Sequence, residues 1–401
     1  MQQKLGVGGL ARALTAALAV LCAGSVLAAP AATPKQPPIP RKLDLTLPKT
    51  IYAVPGVEMN VYFDNVTLAV NPWHYAFDVT CRKGTQQAER WTFVPTDKDL
   101  GDHAFALDVR NDTNAVIDHA ASTIHVTPRN AGAGKAISLL IIGDSLTAAS
   151  VYPHHLLDLC KAPGNPKLTL IGSYGPGGKP GINRHEGYGG WTAHRFATYY
   201  TTRARTGERT GRGSPFIYKQ ADGKPKLDFA QYCKEFNGGQ GPDFVTILLG
   251  CNDTFSSTDD TIEQRMATMF THYDMLIKMI HGLRKDTQIG ALLLVPGAAT
   301  QDAFGTNYRC GQTRWQYKRN QHTVVKRMIA RYGNREAENL YLIPANVNLD
   351  CVHNYPQRTG PWNARSKVKG ARLSNGVHPA AQGYRQIGDS IFCWIKARLA
   401  E

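Results

Sequence analysis

The sequence predicts an α/β protein: a three-layer αβα, flavodoxin-like domain around a five-stranded parallel sheet, preceded by a small all-β sandwich. Three observations carry this. Apolar runs of strand length recur at 136–142, 168–173, 244–249, 289–295 and 340–343, with helical stretches between and after them. Such runs suit parallel strands buried under helices on both faces. The stretch 43–128 has a different texture: short β-rich segments such as VEMNVYFDNV, HYAFDVTC and RWTFVP, broken by Asn, Asp, Gly and Pro with no helical stretch between them. Regularly spaced short strands of this kind indicate a β-sandwich. The clearest helix covers about 261–285, where Ile262, Met266, Met269, Phe270, Tyr273, Ile277 and Ile280 recur at spacings of three and four. That stripe is a core face, not a cofactor groove.

Taken in order, residues 1–28 have the pattern of an export signal. Lys4 and Arg12 form the basic start, 13–26 is a short apolar core, and small residues end at Ala28. The apolar core is too short to span a bilayer comfortably, and no later segment is long and apolar enough to do so. The expected mature protein is therefore secreted or periplasmic, with no membrane partner. Residues 29–42 are a Pro/Ala-rich linker. An immunoglobulin-like accessory domain is expected at 43–129, a flexible Asn-Ala-Gly-Ala-Gly joint at 130–134, and the α/β domain at 135–401. A chain of 401 residues is long enough for two cores. Within the β-domain, Trp73, Tyr75 and Trp91 suit either sugar binding or the core, and the burial habits of aromatic residues favour the core.

The formal charge of +15 favours acidic surfaces or polymers and says nothing about fold. No nucleic-acid motif accompanies it, so no nucleic-acid partner is expected. The glycine-punctuated basic stretch at 201–213 suits a solvated loop. Seven cysteines follow Cys22, an odd number that leaves one unpaired within the chain. They lack zinc-site spacing, and Cys310 with Cys351 is a plausible bridge.

In an open parallel sheet, ligands sit beyond the carboxyl ends of the strands where the strand order reverses. Ser145, in LLIIGDSLTAAS, follows the first strand of the α/β domain, and Gly250-Cys-Asn-Asp253 follows the third. An order 2-1-3-4-5 makes those strands neighbours and brings Ser145 and Asn252 together. The loop RHEGYGGWTA at 184–193 opens on the same edge, and its glycines permit close backbone approach. His378 lies in SNGVHP, with Pro379 suited to the first turn of a helix. Gly388-Asp389-Ser390 repeats the Gly-Asp-Ser tripeptide but follows no strand and falls within an apolar-faced helix, so Ser390 is expected to be structural. His185-Glu186 lacks the second histidine of a zinc-protease helix, and no Gly-x-Ser-x-Gly elbow is present. Asp144 is expected to fix its loop through local hydrogen bonds.

Together GDSL, YGGWT, GCND and NGVHP, in that order over about 136–397, resemble the SGNH (GDSL) hydrolase superfamily. The resemblance implies that Ser145 is a nucleophile and His378 its base. The backbone N–H groups of Ser145 and Gly190, with the Asn252 amide, would form an oxyanion hole. The chemistry fits those residue types: a serine hydroxyl needs an imidazole to take its proton, and fixed N–H donors stabilise the charge that builds on the carbonyl oxygen. One position departs from the family pattern, because Asn375 stands where an aspartate commonly orients the histidine. A triad through Asn375, a Ser-His dyad steadied by a backbone carbonyl and a weakened enzyme all remain open at this level. Exported forms with a β-domain resemble bacterial carbohydrate esterases that remove O-acetyl groups, which implies an acetylated carbohydrate substrate, an acetyl-Ser145 intermediate and no metal or organic cofactor. Tyr188 and Trp191, beside Gly190, are the candidates for sugar stacking, with packing the alternative. A lipase, arylesterase or thioesterase on the same scaffold, or a carbohydrate-binding protein with a weak site, are the other readings.

Overall fold

The runs rich in Ile, Leu and Val form one central parallel sheet in the computed structural model, which describes residues 43–201 and 213–401. The expected signal segment, the linker and most of the basic stretch at 201–213 lie outside the described residues. The sheet strands are β1 (Ala136–Gly143), β2 (Lys167–Ile171), β3 (Glu186–Gly187), β4 (Phe244–Leu248), β5 (Gln288–Leu292) and β6 (Leu340–Ile343). Their order is β2-β1-β4-β5-β6, with β3 pairing beside β1. Every pair is parallel. The expected five strands are thus joined by a sixth, two-residue segment, which sets Ile142 against Glu186 and Gly143 against Gly187.

Burial explains why these runs are apolar throughout. Leu139, Leu140, Ile141 and Ile142 are all fully enclosed, so both faces of β1 are covered, and each such side chain contributes about 1.5–3 kcal/mol. Helix Ile262–Leu283 lays its predicted stripe on the sheet, and Tyr273 donates its hydroxyl proton to the Ile247 carbonyl at 3.1 Å. Helices Val151–Lys161 and Ala381–Ala400 pack against one another.

The β-rich region forms a four-stranded sheet and a three-stranded sheet around a shared core that includes Phe63, Trp91, Phe105 and Leu107. Strand Thr50–Ala53 runs parallel to Val116–Val126, and the other pairs in these two sheets are antiparallel. The expected joint at 130–134 packs close to the last helix. Residues 129–134 form turns, a Cβ on Gly132 would strike Leu399, and residues 42–401 make one compact unit. Polar ties reinforce the join. Asn65 donates to the carbonyls of Asn346 and Leu349 at 2.9 and 2.8 Å, and Asp64 pairs with Arg314 and Lys318.

The Cys310–Cys351 bridge that the sequence left open does not form: both are free thiols, one exposed and the other buried beside Asn65. Among the described residues, no helix is long and apolar enough to cross a membrane.

Candidate active site

Strand β1 ends at Gly143, and the next residue turns the chain. Asp144 caps the short helix Ser145–Ala148 by accepting the Leu146 N–H at 2.9 Å, which is the local role expected of it. As the first residue of that helix, Ser145 has a backbone N–H with no intrahelical acceptor. Its Oγ lies 2.8 Å from Nε2 of His378. Burial holds the His378 pKa below its ordinary value, which keeps the imidazole neutral and able to accept the serine proton. The two residues are far apart in sequence and meet because β1 and the loop before the last helix open at the same end of the sheet. Pro379 lies just before Ala380, the N-cap of helix Ala381–Ala400, and so falls slightly ahead of the expected first turn.

Asn375 does not orient the imidazole. Its Oδ1 accepts the backbone N–H groups of Val377 at 3.1 Å and His378 at 2.9 Å, an Asx turn that shapes the loop. Among the described residues, no hydrogen-bond partner stands on Nδ1 of His378. The loop is held from other elements as well: Asn307 accepts the Gly376 N–H at 3.0 Å, and the Gly376 carbonyl accepts the Ala298 N–H at 3.0 Å. Asn307 belongs to no motif, and nothing in the sequence pointed to it.

Asn252 is brought beside the serine corner, as β1 and β4 are neighbours with Gly143 opposite Leu248. Both of its amide protons are engaged. Nδ2 donates to Asp144 Oδ2 and to the Trp191 carbonyl, each at 3.1 Å. Asp253 reaches the same loop and accepts the Ala193 N–H at 3.2 Å. The Gly-Cys-Asn-Asp segment therefore bridges the serine corner and the 191–193 segment, a role in which Asp144 and Asp253 were not foreseen. Burial, assisted by the neighbouring Asp253, pushes Asp144 up to about 7, and burial does the same to Asp253.

Gly190 is exposed, with φ +73°. A Cβ there would meet nothing within 4 Å, so the left-handed backbone requires the glycine, not a crowded neighbour. Gly187 instead packs on Thr147 of the protein itself, so not every glycine in the loop faces a ligand. Tyr188 and Trp191 are not sugar platforms. They are 2% and 5% exposed and pack with Tyr174 and Phe196 in an aromatic cluster. In the β-rich region Trp91 is core, whereas Trp73 is half exposed.

The 184–193 loop is anchored by buried polar groups. Glu186 accepts from Ser173 N at 2.6 Å, Ser173 Oγ at 2.9 Å, Tyr232 Oη at 2.6 Å and the Tyr188 hydroxyl, and burial pushes its pKa up. His185 accepts the Gly187 N–H on Nδ1 at 3.1 Å, so Nε2 carries the proton it shares with Ser150 Oγ at 2.8 Å. Burial pushes His185 down to about 4, which keeps it neutral. Ser390, in the second Gly-Asp-Ser, is buried within the last helix and bonds to the Gln386 carbonyl at 3.0 Å. Its neighbour Asp389 pairs with His155 at 2.8 Å.

Three solved structures are among those similar to this chain. A Clostridium thermocellum family 3 carbohydrate esterase is 16% identical, with 67% of this chain and all of that one covered and a TM-score of 0.39. The acetyl xylan esterase AlAXEase is 13% identical, with 65% and 100% covered and a TM-score of 0.32. A carbohydrate acetylesterase family member from Sinorhizobium meliloti is 11% identical, with 66% and 100% covered and a TM-score of 0.37. Among curated proteins, none matches. The model of the GDSL-like lipase/acylhydrolase family matches residues 141–386, a span that begins in β1, ends in the last helix and takes in the paired Ser145 and His378. With more than half of the sequence inside that match, the chain belongs to the GDSL-like lipase/acylhydrolase family.

Proposed function

We propose that the protein is a serine esterase that removes O-acetyl groups from a carbohydrate or polysaccharide through an acetyl-Ser145 intermediate. The observation that carries the reading is the 2.8 Å contact between Ser145 Oγ and a neutral His378 at the carboxyl end of a parallel sheet. Oγ attacks the acetyl carbonyl while Nε2 takes its proton. The same nitrogen returns that proton to the departing sugar oxygen. Water then attacks the acyl carbon as Nε2 accepts one of its protons, and Nε2 passes that proton to Ser145 Oγ as the acyl–Oγ bond breaks and the acetyl group leaves as acetic acid.

The reading is a Ser-His dyad, since Asn375 serves the backbone. The oxyanion falls to the N–H groups of Ser145 and Gly190. Asn252 joins them only by giving up one of its two present acceptors. Losing one oxyanion donor typically costs about 3 kcal/mol of transition-state stabilisation.

Initial rates on p-nitrophenyl acetate, butyrate and octanoate, for wild type beside Ser145→Ala, test the reading. Acetate-preferring activity that vanishes in the variant is expected. Preference for the longer chains would move the assignment to a lipase. A folded protein inactive on all three would overturn the esterase reading.

A further inference from the structure

The antiparallel hairpin formed by Gln357–Pro361 and Lys369–Leu373 has no part in the reaction, yet it leads directly into the histidine loop. Ser374 follows its second strand and closes its base by donating to the Pro356 carbonyl at 2.7 Å, and His378 comes shortly after. The segment 356–377 holds Arg358, Arg365, Lys367, Lys369 and Arg372 and contains no Asp or Glu. Among the described residues, Arg358, Arg365, Lys367 and Lys369 are exposed and have no carboxylate partner.

One face of the hairpin is arranged in a specific way. Arg358 and Arg372 stand directly opposite on the two strands, and so do Gly360 and Gly370. Like charges facing each other across a strand pair are unfavourable, and Arg372 is met by Asp302, whose Oδ1 lies 3.7 Å from its Nε. The next cross-strand pair on that face is the two glycines, because alternate residues share a side. Trp362 folds its ring back over them: a Cβ on Gly370 would run into the indole. The Arg372 guanidinium lies 4.5 Å from the ring centroid and donates to the carbonyls of Pro361 and Trp362 at 3.3 and 2.9 Å, which fixes the indole in place. Trp362 nevertheless stays 49% exposed.

We infer that this hairpin is a docking element for an acidic polysaccharide, with uronate carboxylates pairing with Arg358 and its exposed basic neighbours Arg365, Lys367 and Lys369 and a sugar ring packing against the exposed part of Trp362. Arg372 is already engaged by Asp302 and two carbonyls, whereas Arg358 keeps its guanidinium free of carboxylates among the described residues, and guanidinium groups suit carboxylates geometrically. A lipid headgroup surface is the weaker match, because an indole laid flat and clamped by Arg372 cannot project its edge into a bilayer. The inference draws on the esterase reading for what happens to the bound polymer; binding itself does not depend on it.

The test measures binding of unacetylated polygalacturonate, neutral xylan and phosphatidylserine vesicles to the full chain carrying Ser145→Ala, at low and high ionic strength. Arg358→Glu and Trp362→Ala are added to that background for binding and to the wild type for p-nitrophenyl acetate rates. Polygalacturonate is expected to bind more tightly than xylan and to weaken with salt. Arg358→Glu should weaken polygalacturonate binding by about tenfold to a hundredfold, the range for a hydrogen bond to a charged group. It makes the cross-strand pair attractive, so thermal stability should hold or rise. Trp362→Ala should weaken both polymers, and neither change should alter p-nitrophenyl acetate turnover. Absence of polygalacturonate binding, binding unchanged by Arg358→Glu, or Trp362-dependent binding to vesicles but not to polygalacturonate would overturn the inference. If the wild type hydrolyses no ester, the esterase reading fails, and polygalacturonate binding still decides this one.

Discussion

Replacing Asn375 by alanine removes an acceptor shared by the backbone N–H groups of Val377 and His378, at 3.1 and 2.9 Å, and touches no atom of the imidazole ring. Two such bonds contribute about 2 kcal/mol together, which corresponds to about a thirtyfold loss of turnover if all of it goes into misplacing His378. Residual loop order is supplied by Asn307 and Ala298, which hold Gly376 independently. His378→Ala is a different perturbation, because it removes the only base 2.8 Å from Ser145 Oγ among the described residues. Loss of the histidine in a serine hydrolase lowers kcat by roughly 10⁴–10⁶. The two variants should therefore differ by at least about a hundredfold in kcat on p-nitrophenyl acetate. Asn375→Asp is the control: its carboxylate accepts the same two N–H groups, so turnover should survive, and the added charge should raise the pKa of His378. Equal losses in Asn375→Ala and His378→Ala would refute the dyad and return Asn375 to the machinery.

Other outcomes follow from the same geometry. Burial lowers the His378 pKa, and the neutral ring is the working form. Activity must therefore rise with pH along its acid limb, with a midpoint in kcat/KM below the ordinary 6.5; a midpoint above it would show an anionic partner that the structure lacks among its described residues. Glu186→Ala leaves four donors without their acceptor, a loss of about 3–5 kcal/mol that thermal unfolding should register as a large fall in Tm, with Glu186→Gln milder; an unchanged Tm would refute the anchoring role. Ser390→Ala should keep wild-type rates on p-nitrophenyl acetate where Ser145→Ala falls to background, and loss of activity in Ser390→Ala would contradict its placement inside a helix.

The central sheet was legible because both faces of its strands are buried, which forces continuous apolar runs with no polar alternation. The short segment Glu186–Gly187 was not legible, since a carboxylate and a glycine carry no strand signal. Their pairing is set by what surrounds them: three hydroxyls and a backbone N–H around the glutamate, and Gly143 opposite the glycine. Ser145 and His378 could be read because each stands at a turn that the surrounding pattern already defines. Asn375 was misleading for a specific reason. Spacing fixes how far an amide is from the ring in sequence, but two nearer N–H groups compete for the same oxygen and win. Tyr188 and Trp191 failed in a similar way, because a residue beside an exposed glycine can turn inward as readily as outward, and only the packing against Tyr174 and Phe196 decides. At the expected joint, a glycine that looks free in sequence lies close to Leu399 in the fold.

Asn252 shows how much of this site is devoted to holding loops together. An amide group has two protons to give, and both go to the protein, one to a carboxylate and one to a carbonyl. Rotating the amide by half a turn would set its oxygen against the Trp191 carbonyl, which can only accept, so that carbonyl fixes which way it points. The Asp144 carboxylate is costly to bury, as its rise to about 7 shows, and Asp253 pays a similar desolvation penalty one residue along from Asn252. Two buried acids beside a nucleophile are unfavourable unless they accept bonds that nothing else can supply. Here they accept from Leu146, Asn252 and Ala193, which lie on three separate stretches of chain. The serine corner, the Gly190 loop and the Asn252 turn are thereby held in a fixed relation before any substrate arrives. The histidine loop is held separately, through Asn375 and Asn307, so in the proposed dyad it is these backbone contacts that help place the base a triad would position with its aspartate.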